Sequence, residues 1–212
     1  MRAIASRYKA WLAIAALWLL LCATLAVAAP VRTVLVMGDS LAAAYGLSAE
    51  QGWVALLGRK LESNGLNWRV VNASVSGETT GGGAGRFAHA LQTHQPAVVI
   101  LELGANDALR GLPLAQAKAN LQRMIDMAET AGAKVLLVGI EIPPNYGPDY
   151  TAALRAMYRA LVADNELAFL PFLLEPIADD LANFQADGLH PVAEAQPKVL
   201  DHVWTALEPL LE

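Results

Sequence analysis

The chain reads as an α/β protein, a parallel sheet covered by helices on both faces, and three observations predict it. Short apolar runs rich in β-branched residues alternate with longer stretches of helical periodicity. The first three of these runs lead into turns that contain glycine, at Gly38, Gly77 and Gly104. No internal repeat, low-complexity tract or interdomain linker breaks the alternation. Parallel strands fit this spacing because a parallel connection needs a crossover long enough to hold a helix.

The first strand is predicted over residues 33–38, an apolar run ending at Gly38. Residues 52–61 then place Trp53, Leu56, Leu57 and Leu61 at helical spacing. Second and third strands are predicted over 68–73 and 97–103. Between them, the glycine-rich stretch 81–85 has no phosphate-loop register and no following lysine, so it is expected to be a flexible lead into a helix containing His89. Residues 114–131 carry Leu121, Ile125 and Ala128 on one side and stop at Gly132, as a helix should. A fourth strand follows over 134–140. Pro143, Pro144 and Pro148 make 143–148 a rigid loop rather than helix or ladder. A helix over 150–163, a short fifth strand over 167–171 and a closing helix over 193–211 complete the series. A length of 212 residues suits one such domain.

An apolar content of 55 % with 17 % charged residues excludes a disordered chain and implies a substantial core. Part of the apolar excess lies at the start. Arg2, Arg7 and Lys9 precede an uncharged apolar stretch over 10–27 that ends in Ala26-Val27-Ala28. That is the pattern of a cleaved signal peptide, residues 1–28, leaving a mature domain over 29–212. An uncleaved membrane anchor is the rival, since the stretch approaches the roughly 20 residues that span a bilayer. The small residues after Leu25 favour cleavage, a periplasmic or secreted protein, and no stable membrane anchor thereafter. Cys22 is the only cysteine, and Leu19-Leu20-Leu21 before it lacks the small residue that lipid attachment would need. Cleavage leaves no thiol, so neither disulfide nor metal–thiolate site is expected. It also removes three basic residues and no acids, leaving 12 basic against 20 acidic residues, a net charge of −8. No lysine or arginine cluster survives, which argues against nucleic acid or an anionic membrane as partner. A monomer acting on a small molecule is the expectation.

The chemistry lies in the turns. Ser40 stands where the first strand breaks, in Gly38-Asp39-Ser40-Leu41, and Asp187-Gly188-Leu189-His190 comes near the far end. A serine hydroxyl attacks carbonyls poorly at neutral pH and needs a base within hydrogen-bond reach. With Gly188 permitting a tight turn, Asp187 can accept Nδ1–H of His190 while Nε2 faces Ser40. A tetrahedral oxyanion also needs donors, for which the Ser40 N–H, the Gly77 N–H and the Asn106 side-chain amide are the candidates. Ser40, Ser76-Gly77 and Gly104-Ala105-Asn106-Asp107 each follow a predicted strand, so all three turns should share the rim at the carboxyl ends of the sheet. Taken alone, Asp187–His190 is an ordinary turn, and asparagine after glycine is ordinary turn material. The combination points to acyl transfer to water. His89, His94 and His202 are expected to face solvent, and Asp39 and Asp107 to cap helices or brace loops. No metal-binding spacing occurs, and no cofactor is expected.

The four blocks Gly38–Leu41, Ser76-Gly77-Glu78-Thr79, Gly104–Asp107 and Asp187–His190 together resemble the GDSL/SGNH hydrolase family. Val71-Asn72-Ala73-Ser74, Leu109-Arg110-Gly111, Pro144-Asn145-Tyr146-Gly147 and Leu170-Pro171-Phe172 are similar to its bacterial thioesterase, arylesterase and lysophospholipase subgroup, over nearly the whole mature chain. The resemblance implies a three-layer α/β/α sandwich, flavodoxin-like, with a five-stranded parallel sheet. It implies Ser40 as nucleophile, Asp187 and His190 as the other triad members, and Gly77 and Asn106 as oxyanion partners. It further implies acyl thioesters, lysophospholipids and aryl or alkyl esters as substrates. The 142–148 loop, with Ile142, Pro144 and Tyr146, would form one wall of an acyl groove near Leu109. Glu78 stands where close relatives often have aspartate, and Ala105 and Ala108 where they often have glycine, which would narrow the groove or stiffen its loop. The glycine run 81–83 is also unusual and would loosen the neighbouring wall. A carbohydrate acetyl esterase of the same fold and a non-catalytic binding domain are the alternatives.

Overall fold

Five strands follow one another at the lengths the apolar runs allow: β1 (Arg32–Gly38), β2 (Trp68–Asn72), β3 (Val98–Glu102), β4 (Lys134–Val138) and β5 (Ala168–Leu170). The structure is a computed structural model that describes residues 30–212, so the expected leader and Cys22 lie outside the described residues. All neighbouring strands are parallel, in the order β2-β1-β3-β4-β5. The expected five-stranded parallel sheet is therefore present. Val34 to Met37 of β1 and Val98 to Leu101 of β3 have no solvent exposure at all. A strand buried on both faces has no reason to alternate, and these four-residue stretches are apolar at every position.

Six α-helices stand among the described residues: α1 (Trp53–Ser63), α2 (Thr80–His94), α3 (Ala105–Leu109), α4 (Leu114–Thr130), α5 (Pro148–Asn165) and α6 (Gln196–Leu207). The helices α1 and α6 pack together on one face, while α2, α4 and α5 pack in a row on the other. None of the described helices is long and apolar enough to cross a membrane. Because the chain goes from β1 outward to β2 and then back across to β3, the strand order reverses between β1 and β3. In open parallel sheets the crevice at such a reversal, outside the carboxyl ends, is the place for a ligand.

Two expectations need correcting. The glycine-rich stretch is not a flexible lead. It lies inside α2, whose start is capped by the Thr79 side chain accepting from the Gly82 N–H. Its glycines make room: a Cβ on Gly83 would lie 2.5 Å from Leu103 Cδ1, and one on Gly82 would collide with the Glu78 carboxylate. Glu78 in turn pairs with Arg86 at 2.7 Å. The proline loop is also partly helical. Pro144–Tyr146 forms a 3-10 turn, and Pro148 opens α5, because proline at the first helical position gives up only an N–H that has no helical partner.

Candidate active site

The turn after β1 is built to present a serine. Gly38 pairs in register with Glu102 of β3, and a Cβ there would lie 2.5 Å from Glu102 Oε2 and 2.8 Å from Ala42 Cβ. Only glycine leaves space for that approach. Asp39 Oδ1 accepts the Leu41 N–H at 3.0 Å, and the Ala43 N–H returns to the Asp39 carbonyl at 2.9 Å, so the chain turns sharply around Ser40. The turn is fastened from two sides. The indole N–H of buried Trp53 donates to the Leu41 carbonyl at 3.1 Å, and Asn72 Nδ2 donates to the Ala42 carbonyl at 2.8 Å.

His190 arrives from the opposite end of the chain. The Gln185 N–H donates to the His190 carbonyl at 2.8 Å, and Gly188, at φ +67°, permits the return. Within this turn Asp187 Oδ1 accepts the N–H groups of Leu189 (2.9 Å) and His190 (3.0 Å), while Oδ2 lies 2.7 Å from His190 Nδ1. His190 Nε2 lies 2.8 Å from Ser40 Oγ. Gln185 also latches the two segments together, donating from Nε2 to the Tyr45 carbonyl at 2.8 Å. The Tyr45 ring stands 4.5 Å from the imidazole, centroid to centroid. Desolvation pulls the Asp187 carboxyl upward, but the His190 and Leu189 N–H groups and the imidazole outweigh it and hold the pKa down to about 2.

A groove of about 200 Å³ opens beside Ser40 and His190. Leu41, Leu109, Ile140, Ile142, Leu174 and Leu189 give it an apolar lining, with Asn106 at the serine end. Of the residues expected to bind substrate, Leu109 and Ile142 line the groove. Tyr146 does not; its hydroxyl braces the groove from behind by donating to the Leu109 carbonyl at 3.2 Å. Pro144 begins the adjacent 3-10 turn, and its side chain lies outside the described residues. Ala105 lines the groove, whereas Ala108 is fully buried beneath it. Leu174, Ile140 and Leu41 were not anticipated. Their common signal is position, just beyond the carboxyl end of a strand.

Among the three candidate oxyanion donors, Ser40 and Asn106 border the groove and Gly77 does not. Gly77 sits at φ +79°, with its carbonyl held by Arg110 Nη2 at 2.8 Å. Asn106 lies in the first turn of α3 and donates from Nδ2 to Asp39 Oδ2 at 3.0 Å. Behind Asp39, its own N–H donates to Glu102 Oε2 at 3.1 Å. Both acids are buried, with 1 % and 2 % of their surface exposed. Burial raises the Asp39 carboxyl to about 6 despite the Leu41 N–H, His190 and the Asn106 amide; Asp107 pushes it further up. Burial and then the neighbouring Asp39 charge raise Glu102 well above the ordinary carboxyl range. Asp107 holds the start of α2, accepting from the Thr80 N–H at 2.8 Å and its hydroxyl at 2.6 Å. His89 is exposed and His94 partly so, while His202 is half-buried, with Nε2 3.1 Å from the Phe172 carbonyl. No group of three or more potential metal ligands is gathered among the described residues.

A sequence model described as the GDSL-like lipase/acylhydrolase family matches residues 36–196, which run from the end of β1 to the start of α6 and include Ser40, Asn106, Asp187 and His190. The chain belongs to the GDSL-like lipase/acylhydrolase family. It is a serine hydrolase of the GDSL type, with the α/β fold of that group. The esterase TesA of Pseudomonas aeruginosa is 49 % identical over 183 residues, covering 86 % of this chain and 91 % of that protein. The thioesterase 1/protease 1/lysophospholipase L1 of Escherichia coli K12 is 40 % identical over 184 residues, 87 % of each chain. Among solved structures, the psychrotrophic esterase EstA of Pseudoalteromonas, inhibited by monoethylphosphonate, superposes with a TM-score of 0.81 at 38 % identity, covering 85 % of this chain and 98 % of that one.

Proposed function

We propose that this GDSL hydrolase cleaves carboxylic esters and thioesters through an acyl-enzyme on Ser40, with the acyl chain in the apolar groove. The observation that carries this reading is the continuous relay from Ser40 Oγ to His190 Nε2 at 2.8 Å and from His190 Nδ1 to Asp187 Oδ2 at 2.7 Å. Ser40 attacks the carbonyl as His190 takes its proton, and Asp187 stabilises the imidazolium that forms. The oxyanion is met by the Ser40 N–H, the Gly77 N–H and the Asn106 amide. Collapse expels the alcohol or thiol, protonated by His190. Water, activated by the same imidazole, then releases the acid. A groove lined by leucine and isoleucine suits aliphatic acyl groups, so acyl thioesters, lysophospholipids and aryl or alkyl esters form the substrate class. The names of the relatives, an esterase and a thioesterase/lysophospholipase, support it.

The leader over residues 1–28 supports a periplasmic or secreted location after cleavage, and the mature enzyme acts as a monomer. Hydrolysis of p-nitrophenyl esters from acetate to palmitate, with Ser40→Ala as blank, tests the reading. Activity reaching medium or long chains and lost in the blank is the expected result. Activity confined to acetate points instead to a carbohydrate acetyl esterase, and equal rates in both proteins dismiss Ser40 as nucleophile.

A further inference from the structure

The mechanism above leaves two buried acids unused beneath the serine turn. An asparagine side chain presents a donor on one side and an acceptor on the other, whereas a carboxylate only accepts. Asp39 Oδ2 therefore dictates which atom of Asn106 faces it: the nitrogen, at 3.0 Å. Were the amide turned over, its carbonyl oxygen would oppose a carboxylate oxygen at this 3.0 Å contact. With one Nδ2 hydrogen committed to Asp39, the second is left for the groove that Asn106 borders beside Ser40. Asp39 is itself immobilised. Its Oδ1 accepts from Leu41, its N–H donates to Glu102, and almost none of its surface reaches solvent.

We propose that Asp39 is a positioning residue for the oxyanion site, its carboxylate fixing the Asn106 amide so that one N–H points at the reacting carbonyl oxygen. This rests on the reading of Asn106 as an oxyanion donor. Asp39 makes no hydrogen bond to His190 or to Ser40 Oγ among the described residues, so it acts through the amide and not through the proton relay. The charges facing it are mostly of its own sign: Glu102 from β3, Asp107 from α3, and His190 from the opposite loop, with the Tyr158 hydroxyl behind at the Leu103 carbonyl. In this setting the carboxyl takes up a proton near pH 6. A protonated Asp39 can offer an O–H where the amide N–H needs an acceptor, and the amide is then free to turn. The oxyanion site should accordingly loosen on the acid side.

The test is a double-mutant cycle on ester hydrolysis, with folding checked by circular dichroism. Asn106→Ala should lower kcat by about 10²–10³ with little change in KM, the usual cost of one oxyanion donor. Asp39→Asn keeps the shape but sets an amide against an amide, and should lower kcat similarly. The double variant should be no slower than Asn106→Ala alone. If Asn106→Ala leaves kcat intact, the donor assignment fails and the proposal falls with it. If Asn106→Ala is slow and Asp39→Asn multiplies that loss in the double variant, the donor stands and the positioning role is overturned. A second measurement needs no change at Asp39. In His190→Ala protein, which lacks the imidazole that lowers the Asp39 carboxyl, the Asn106 side-chain NH₂ signals in nitrogen–proton NMR should shift as Asp39 titrates, at a pH above its value in the unsubstituted protein. They are assigned by their loss when Asn106→Ala is added. Asn106 signals that stay still while the Asp39 carboxyl carbon signal titrates overturn the proposal.

Discussion

Gly104 is the hinge on which Asn106 is hung, and replacing it by alanine should cost stability in a way that can be traced to one neighbour. Gly104 has φ +122° and caps α3. A side chain in that region costs about 1–3 kcal/mol. The added Cβ would also lie 2.4 Å from Tyr158 Oη. Tyr158 is 2 % exposed, so the ring has nowhere to withdraw, and its hydroxyl donates to the Leu103 carbonyl at 2.9 Å. Displacing it strands a buried donor or acceptor, for a further ~1–2 kcal/mol. Gly104→Ala should therefore destabilise by about 2–5 kcal/mol. Tyr158→Phe alone loses only the hydrogen bond, about 1 kcal/mol. Because the hydroxyl is the atom in the way, the double variant should be more stable than the sum of the singles by about 1–2 kcal/mol. Urea unfolding of the four proteins measures this. Strict additivity would refute the steric account and leave backbone strain as the whole effect.

Two carboxyls should move stability with pH in opposite windows. Asp39 titrates near 6 in the fold against 3.8 ordinarily, so the folded state binds its proton more tightly. That stability is complete below about pH 4 and is lost as pH rises through about 6. Asp187, held near 2, contributes stability present above about 4 and lost as pH falls through 2. Urea midpoints from pH 2 to 7 should show the upper slope flattened in Asp39→Asn and the lower one in Asp187→Asn; an unchanged slope contradicts the corresponding assignment. The Arg155–Glu141 pair at 2.9 Å is half-exposed, so Glu141→Ala should change stability by less than about 1 kcal/mol, and a larger loss in thermal unfolding would mean the pair is structurally essential. Chelator should leave ester hydrolysis unchanged, since the relay needs no metal; activity lost to chelator and restored by added metal would contradict that.

The sheet was legible because β1 and β3 each hold four consecutive apolar residues, Val34 to Met37 and Val98 to Leu101, and lead into turns that contain glycine. Their limits differ from the reading by one or two residues, as fraying ends do. What the pattern concealed depends on partners distant in sequence. The glycine-rich stretch reads as a flexible lead until Glu78 and Leu103 are seen to occupy the space beside Gly82 and Gly83. Pro148 read as loop because proline is both a helix stop and a helix start. The meeting of Ser40, Asp187 and His190 was legible because acyl transfer asks for those residue types in turns, and the three lie within hydrogen-bond reach. Leu174 and Ile140 were not, because a leucine or isoleucine beyond a strand announces nothing about the direction its side chain takes. The contact of Asp39 with Asn106 joins residues 67 positions apart, and no local pattern encodes it.

The latch made by Gln185 joins segments that are 140 positions apart, and the bond from His190 to Ser40 spans 150. The serine, its supporting strand and the Asn106 turn all lie in the first half of the chain, whereas the base and its aspartate lie in the last seventh. Contacts of such long sequence separation close late, since each must overcome the entropy of the loop it encloses. A refolding chain should thus recover its helical signal before it can turn over substrate. Turnover is then an assay of complete assembly: a nascent or truncated chain ending before Asp187 can display its serine yet remain chemically silent.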